Sequence, residues 1–137
     1  MKFLLNFRIL PMMAMLSMAI LFVACDDDEI TNASINDDIQ GEWVASSFSE
    51  DGIETIGTIN SEVNFTFVST SEDSGTFQLN VSDINGGSAS SALTYTVLEN
   101  GARLRLGSDT LNFVASSSNL NFDGVLEGTT TSVIASR

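Results

Sequence analysis

One side chain in this sequence is set apart for covalent chemistry by its surroundings. Cys25 is the only cysteine; it ends the uncharged apolar run ILPMMAMLSMAILFVA (9–24) and directly precedes Asp26-Asp27-Asp28-Glu29. A thiolate is a competent nucleophile for group transfer, and a lone cysteine has no disulfide partner within its chain. The other reactive groups are carboxylates: 18 Asp+Glu stand against 5 Lys+Arg and no His, for a net charge of −13. Paired carboxylates hydrolyse glycosides at separations of ~5 or ~6.5–9.5 Å, but with so many acids chance pairs abound, and no spacing singles one out. The missing histidines remove Ser/His/Asp and Cys/His catalytic sets and His metal sites, and Lys2 is the only lysine. The expectation is therefore no enzyme, no cofactor and no metal site. Asp83-Ile84-Asn85-Gly86 offers two oxygen ligands and a glycine without the remaining spacing of a calcium loop. Glu50-Asp51 and Glu72-Asp73 read as solvated turn acids. Arg103 and Arg105 flank Leu104 on one strand face; they could meet an anion, or more simply balance neighbouring acids. From Cys25 onward three arginines against eighteen acids leave a charge of −15, which argues against nucleic acid as a partner, because phosphate affinity rests on Lys and Arg.

The segment before Cys25 reads as an address. Lys2 and Arg8 give a positive start, and the apolar run that follows has 16 residues, short of the ~20 a spanning helix needs. A charged start, a short apolar stretch and small residues at its end are the pattern of a signal peptide. Phe22-Val23-Ala24-Cys25 resembles a bacterial lipobox, with Phe22 where Leu is usual. That resemblance implies cleavage before Cys25 and lipid modification of its thiol, with acyl chains such as palmitate anchoring the protein to a membrane. The cluster Asp26, Asp27, Asp28 and Glu29 resembles the sorting signal of surface lipoproteins of the Bacteroidetes type. The location so implied is the outer membrane, surface-exposed or else facing the periplasm.

Those chemical features need a scaffold, and the rest of the chain describes one. Asp26–Ile39 is polar, acidic and without helical or strand period, which reads as a flexible tether. From Gly41 the apolar residues alternate with polar ones, the strand signal: Val63, Phe65, Phe67; Phe77, Leu79, Val81; Leu93, Tyr95, Val97; Leu104, Leu106; Leu111, Phe113; Leu120, Phe122. Turn residues bound the runs, and Asn100-Gly101 is the strongest hairpin signal because both residues tolerate positive φ. About eight antiparallel strands are expected at 41–48, 53–59, 62–69, 75–82, 92–98, 102–106, 109–115 and 119–126, with a ninth at 129–135. Gly86–Ser91 reads as a small polar loop, and no stretch reads as an amphipathic helix.

Ile39-Gln40-Gly41-Glu42-Trp43, the Tyr95 strand turning through Asn100-Gly101 into Leu104-Arg105-Leu106, and a final apolar strand ending at Arg137 resemble the lipocalin-like domains of Bacteroidetes lipoproteins. The resemblance implies an up-and-down β-barrel over 40–137, preceded by a signal peptide (1–24) and a lipidated acidic tether (25–39). An eight-stranded barrel has an interior that side chains fill or that holds one small ligand. Seventeen large apolar residues, the fifteen above with Trp43 and Leu126, point inward in this pattern, which favours a filled interior with Trp43 as a plug at one end. The implied role is a monomeric, lipid-anchored envelope protein with a non-catalytic binding or structural task. Alternatives are a carrier of a small apolar ligand, a β-sandwich adhesin or glycan-binding module, and an inhibitor whose partner is an envelope enzyme, acting through loops such as 84–91. Asp109-Thr110-Leu111 resembles the short O-glycosylation motif of secreted proteins in the same bacterial group, with Thr110 as acceptor.

Overall fold

The computed structural model describes residues 29–137. It consists of helix α1 (Asn32–Ile39) and nine strands: β1 (Gly41–Glu50), β2 (Ile53–Glu54), β3 (Asn60–Ser69), β4 (Ser74–Asp83), β5 (Ser88–Leu98), β6 (Arg103–Leu106), β7 (Asp109–Ala115), β8 (Asn119–Leu126) and β9 (Thr129–Ser136). Consecutive strands pair antiparallel from β3 to β9, and β1 pairs with both β3 and β9. That double pairing closes an eight-stranded up-and-down barrel, with β2 as an appendage of β1. The first half of β1 (Gly41–Val44) lies against β3 and the second half against β9, and a register shift between Ala45 and Ser47 turns the strand from one neighbour to the other. Bulges of this kind bend a strand and aid closure.

Alternation becomes layering inside the barrel. Thirteen of the expected inward residues are buried, among them Trp43, Phe65, Phe67, Phe77, Tyr95, Leu104, Leu111 and Phe122. Leu79, Val81, Leu93 and Leu126 are only half-buried. The middle is an aromatic cluster: Phe65 meets Phe67, Phe77 and Phe122 at centroid distances of 6.0, 5.6 and 5.8 Å, and Phe67 meets Tyr95 edge-on at 5.0 Å. Edge-to-face pairs add about 0.5–1.5 kcal/mol each beyond their area. Gly75 lets this packing form, since a Cβ there would lie 2.0 Å from the Val68 carbonyl oxygen and 2.8 Å from the Tyr95 ring.

Four expectations are corrected. The segment 53–59 is not a barrel strand: only Ile53–Glu54 forms a strand, paired with β1, and the chain then turns back through Thr55–Asn60, with one isolated bridge from Ile56 to Asn60. The eighth staple of the barrel is instead β9, the strand expected only as a ninth. Gly86–Ser91 is not all loop, because β5 starts at Ser88 and pairs with β4 from there without a break. The supposed tether is helical from Asn32 to Ile39, with Thr31 and Ser34 exchanging side chain–backbone hydrogen bonds in a capping box. Ile35 and Ile39, four residues apart, turn one face of α1 to the barrel. Asn100-Gly101 behaves as expected: Asn100 has φ 54° and Gly101 φ 84°, within a single 3₁₀ turn (Glu99–Gly101) that leads through Ala102 to β6.

Candidate functional site

The two ends of the barrel differ in kind. At the base, α1 lies across the opening and is locked by buried polar groups. Asn36 is fully buried, and its amide donates to Ser69 Oγ (3.1 Å) and to the carbonyls of Ser71 (3.0 Å) and Glu72 (3.3 Å). Its Oδ1 accepts from the Tyr95 hydroxyl at 2.6 Å and from Gln40 Nε2 at 3.2 Å. Gln40 Nε2 also donates to the Tyr95 oxygen at 3.0 Å, while Gln40 Oε1 accepts from the Ser69 amide at 2.6 Å. Burial pushes the Tyr95 hydroxyl above the ordinary tyrosine range, against the opposing pull of the Gln40 bond. Beside this lock Trp43 donates to the Ile39 carbonyl at 2.8 Å, and the Arg137 guanidinium covers its ring at 4.6 Å. Arg137 binds the carbonyls of Ser117 (2.8 Å), Asp38 (2.5 Å) and Gln40. Helix α1, its hydrogen bonds and Arg137 thus cover the base of the barrel. A shallow hollow of about 600 Å³ outside it, lined by Thr31, Asn32, Glu72, Asp73 and Asn100, opens to solvent.

The other end is the mouth. Here Leu79, Val81, Leu93 and Leu126 turn inward but stay half-exposed, and Ile56 of the β2–β3 turn is half-buried against the core. That turn is held by Glu54, whose carboxylate accepts from Ser47 Oγ (2.5 Å) and from the amides of Phe48 (3.0 Å) and Ile56 (3.0 Å). The Ser47 bond, then those amides, hold the Glu54 carboxyl below the usual carboxylate range. Beneath it Thr55 donates to the Phe48 carbonyl at 2.8 Å and Asn60 donates to Thr55 Oγ1 at 3.0 Å. Ile53 on β2, and Ile59 and Ile84 on the surrounding turns, stand exposed.

The residues picked out in the sequence are scattered over this frame. Cys25, Asp26, Asp27 and Asp28 lie outside the described residues; Glu29 is exposed before α1. Thr110 is exposed on β7, opposite Arg105, between the half-buried Asp109 and the buried Leu111. Asp109 accepts from the Glu127 amide at 2.8 Å. Asp83 accepts from the amides of Asn85 (2.6 Å) and Gly87 (3.1 Å), so its carboxylate shapes the β4–β5 turn. Asp51 likewise holds the Thr130 amide at 3.0 Å. Among the described residues, no three Asp, Glu, Cys or His side chains gather as metal ligands would. Arg105 donates to Thr96 Oγ1 at 3.3 Å, and Arg103 Nε is buried without a partner. Trp43 and Tyr95 offer no sugar-stacking platform, since both are buried, and the closed barrel replaces the two sheets a sandwich would need. Sequence reasoning missed Asn36, Gln40 and the helix that carries them. The signal was Thr31 and Ser34 at capping-box spacing ahead of Ile35 and Ile39.

No protein-family model matches the sequence, and no curated protein matches it. Among solved structures, Japanin from Rhipicephalus appendiculatus bound to cholesterol is similar over 71% of this chain and 74% of its own, with a TM-score of 0.53 and 10% identity. The siderocalin Ex-FABP, described as functioning through dual ligand specificities, is similar over 73% of this chain and 70% of its own, with a TM-score of 0.48 and 14% identity. The fold is a lipocalin-like β-barrel.

Proposed function

We propose that this barrel is a non-catalytic binding protein, held at the cell envelope by lipid on Cys25, which takes a small apolar ligand at its mouth. The observation that carries the reading is the half-exposed ring of Leu79, Val81, Leu93 and Leu126, where large inward side chains from three strands meet solvent above a filled core. Apolar sites with few polar groups suit small hydrophobic ligands. Japanin, a barrel of the same fold, is bound to cholesterol, which supports the ligand class. The aromatic cluster below the ring fills the middle of the barrel, so the ligand would sit shallowly. The carboxylates of Glu54, Asp83 and Asp109 are engaged by backbone amides of the turns they hold, which supports a binding role over a catalytic one.

The anchor fits the geometry of the base. Thr31 follows Cys25 by six positions, with five residues between them, a span of at most ~20 Å. The lipid would therefore keep the α1 end near the bilayer and turn the mouth away from it. Cleavage after residue 24, surface sorting by Asp26–Glu29 and glycosylation at Thr110 belong to the same proposal, with the tether shortened to residues 25–31.

The test of the ligand reading uses the Cys25→Ser chain, which stays free of lipid, and the neutral probe N-phenyl-1-naphthylamine. Its emission should rise on binding and saturate, and Leu93→Asn should weaken binding at least fivefold while circular dichroism stays unchanged. Binding unaffected by Leu93→Asn would refute the site. Intact mass of the native protein tests the anchor: the expected species starts at an acylated Cys25, and an unprocessed Met1 with a free thiol would overturn it.

A further inference from the structure

The wall of the barrel is uneven. β6 has four residues and pairs with only the second half of β5: Leu106 faces Tyr95, and the Gly107 amide reaches the Thr94 carbonyl at 2.8 Å. Before Thr94, residues Ser88–Leu93 are paired with β4 alone. In an antiparallel strand both backbone groups of a residue point to one side, and successive residues alternate. Because Thr94 faces β6 and the β4–β5 register has no shift, the amides and carbonyls of Ser88, Ser90 and Ala92 face the same way, with no strand opposite them among the described residues. Every residue from Ser88 to Ala92 is exposed.

Proteins protect such edges with lysine, proline, bulges or a covering element. Ser-Ala-Ser-Ser-Ala-Leu (88–93) has none of the first three. Its small side chains let another backbone approach, and its inward face continues into Leu79, Val81 and Leu93. The strand ends and turns at this end carry Glu50, Asp51, Glu54, Asp83, Asp109 and Glu127 and, among the described residues, no cation, while Arg103, Arg105 and Arg137 lie lower on the wall or at the base. Ile53, Ile59 and Ile84 add exposed apolar surface to the same end. A second copy of this chain would bring the same negative rim against this one. A cationic strand with alternating apolar residues matches the edge, the apolar shelf and the charge together.

The geometry points to the β5 edge, Ser88–Ala92, as a docking site for an extended basic segment of another protein, which adds as a strand beside β5 and fills the low part of the wall. Main-chain bonds give such an addition its affinity, and alternate side chains give it selectivity. The site borders the ring of the apolar ligand reading and shares Leu79, Val81 and Leu93 with it, but its affinity comes from the backbone groups of Ser88, Ser90 and Ala92, which that reading does not use.

The experiment uses the full chain in nonionic detergent and a fluorescein-labelled peptide, Lys-Val-Lys-Val-Lys-Val-Lys, followed by anisotropy and by hydrogen exchange. The expected result is saturable binding that weakens with added salt, slowed exchange at Ser88, Ser90 and Ala92, and at least tenfold weaker binding of the Glu-for-Lys peptide. Ser90→Pro removes an amide that faces the gap and leaves the ladder to β4 intact, so binding should fall at least tenfold. Ala92→Lys, which keeps every backbone group, should weaken the lysine peptide and spare a neutral Thr-Val counterpart, while Ser90→Ala should bind as the parent does. Equal binding by Ser90→Pro, slowed exchange elsewhere, equal binding of both charged peptides, or dimerisation of the chain through this edge in sedimentation would each overturn the proposal.

Discussion

Truncating Asn36 to alanine should unfasten the helix from the barrel base, and its cost can be worked out bond by bond. Most of the partners keep other contacts. Ser69 Oγ still donates to the Ser71 carbonyl at 2.8 Å, and Gln40 Nε2 still donates to the backbone carbonyl of residue 36 at 2.6 Å. The Tyr95 hydroxyl is the exception: it still accepts from Gln40 but loses its only acceptor, the Asn36 oxygen at 2.6 Å. An orphaned buried donor costs about 1–3 kcal/mol and each lost net bond about 1 kcal/mol, so Asn36→Ala should lose about 3 kcal/mol. Tyr95→Phe removes the hydroxyl itself and leaves Asn36 Oδ1 paired with Gln40, so about 1 kcal/mol is expected. The double variant leaves no orphan and should cost about 1 kcal/mol less than the sum of the single changes, a coupling typical of groups in contact. Urea unfolding followed by the emission of Trp43, the single tryptophan, reads all three on one scale, with midpoints compared at constant slope. An Asn36→Ala midpoint within about 0.5 kcal/mol of the parent, or strict additivity, would refute the assignment of this network as the lock of the base.

Three further outcomes follow from single contacts. Gly75→Ala places a methyl against the Val68 carbonyl and the Tyr95 ring and should destabilise by about 2 kcal/mol or more, read as a fall in Tm; an unchanged Tm would show that this close approach is not required. Arg137→Ala removes the cation from the Trp43 ring and three bonds to carbonyls; a loss of about 1–2 kcal/mol and a shift in Trp43 emission are expected, and unaltered emission would contradict the stacking. The pH profile should fall at both ends. The Tyr95 value is raised on folding, so its contribution is whole below about pH 10 and is lost as pH climbs through the folded value. The Glu54 value is lowered, so its contribution is present above the unfolded carboxylate value and is lost as pH falls through the folded one. Glu54→Gln should flatten the acid limb and Tyr95→Phe the alkaline limb of Tm against pH; limbs unmoved by both variants would assign the titrations to other groups.

The strand pattern was legible because alternation is a local property. Val63-Asn64-Phe65-Thr66-Phe67 fixes which side chains face the core whatever lies next to it, and the left-handed preference of Asn100-Gly101 acts within a single turn. The helix over Asn32–Ile39 was not legible, because its residues are polar and acidic and most of its stability comes from outside it. Ile35 and Ile39 gain from the barrel base, and Asn36 finds its partners on β3 and β5 and in the β3–β4 turn. The segment 53–59 and the ninth strand exchanged roles for a related reason. Whether a short apolar run enters a barrel depends on which neighbour offers it a ladder, and β9 could pair with β1 and β8 at once.

By itself the sequence determined the strand class, the inward set, the acidic balance and the segment around Cys25, since each is fixed by residue type and spacing along the chain. Only the tertiary structure decided the closure through β1 and β9, the sealed base, the half-exposed ring at the mouth and the unpaired β5 edge. These depend on strands of unequal length meeting across long separations, and the hydrogen-bond partners that set those meetings are not neighbours in the chain.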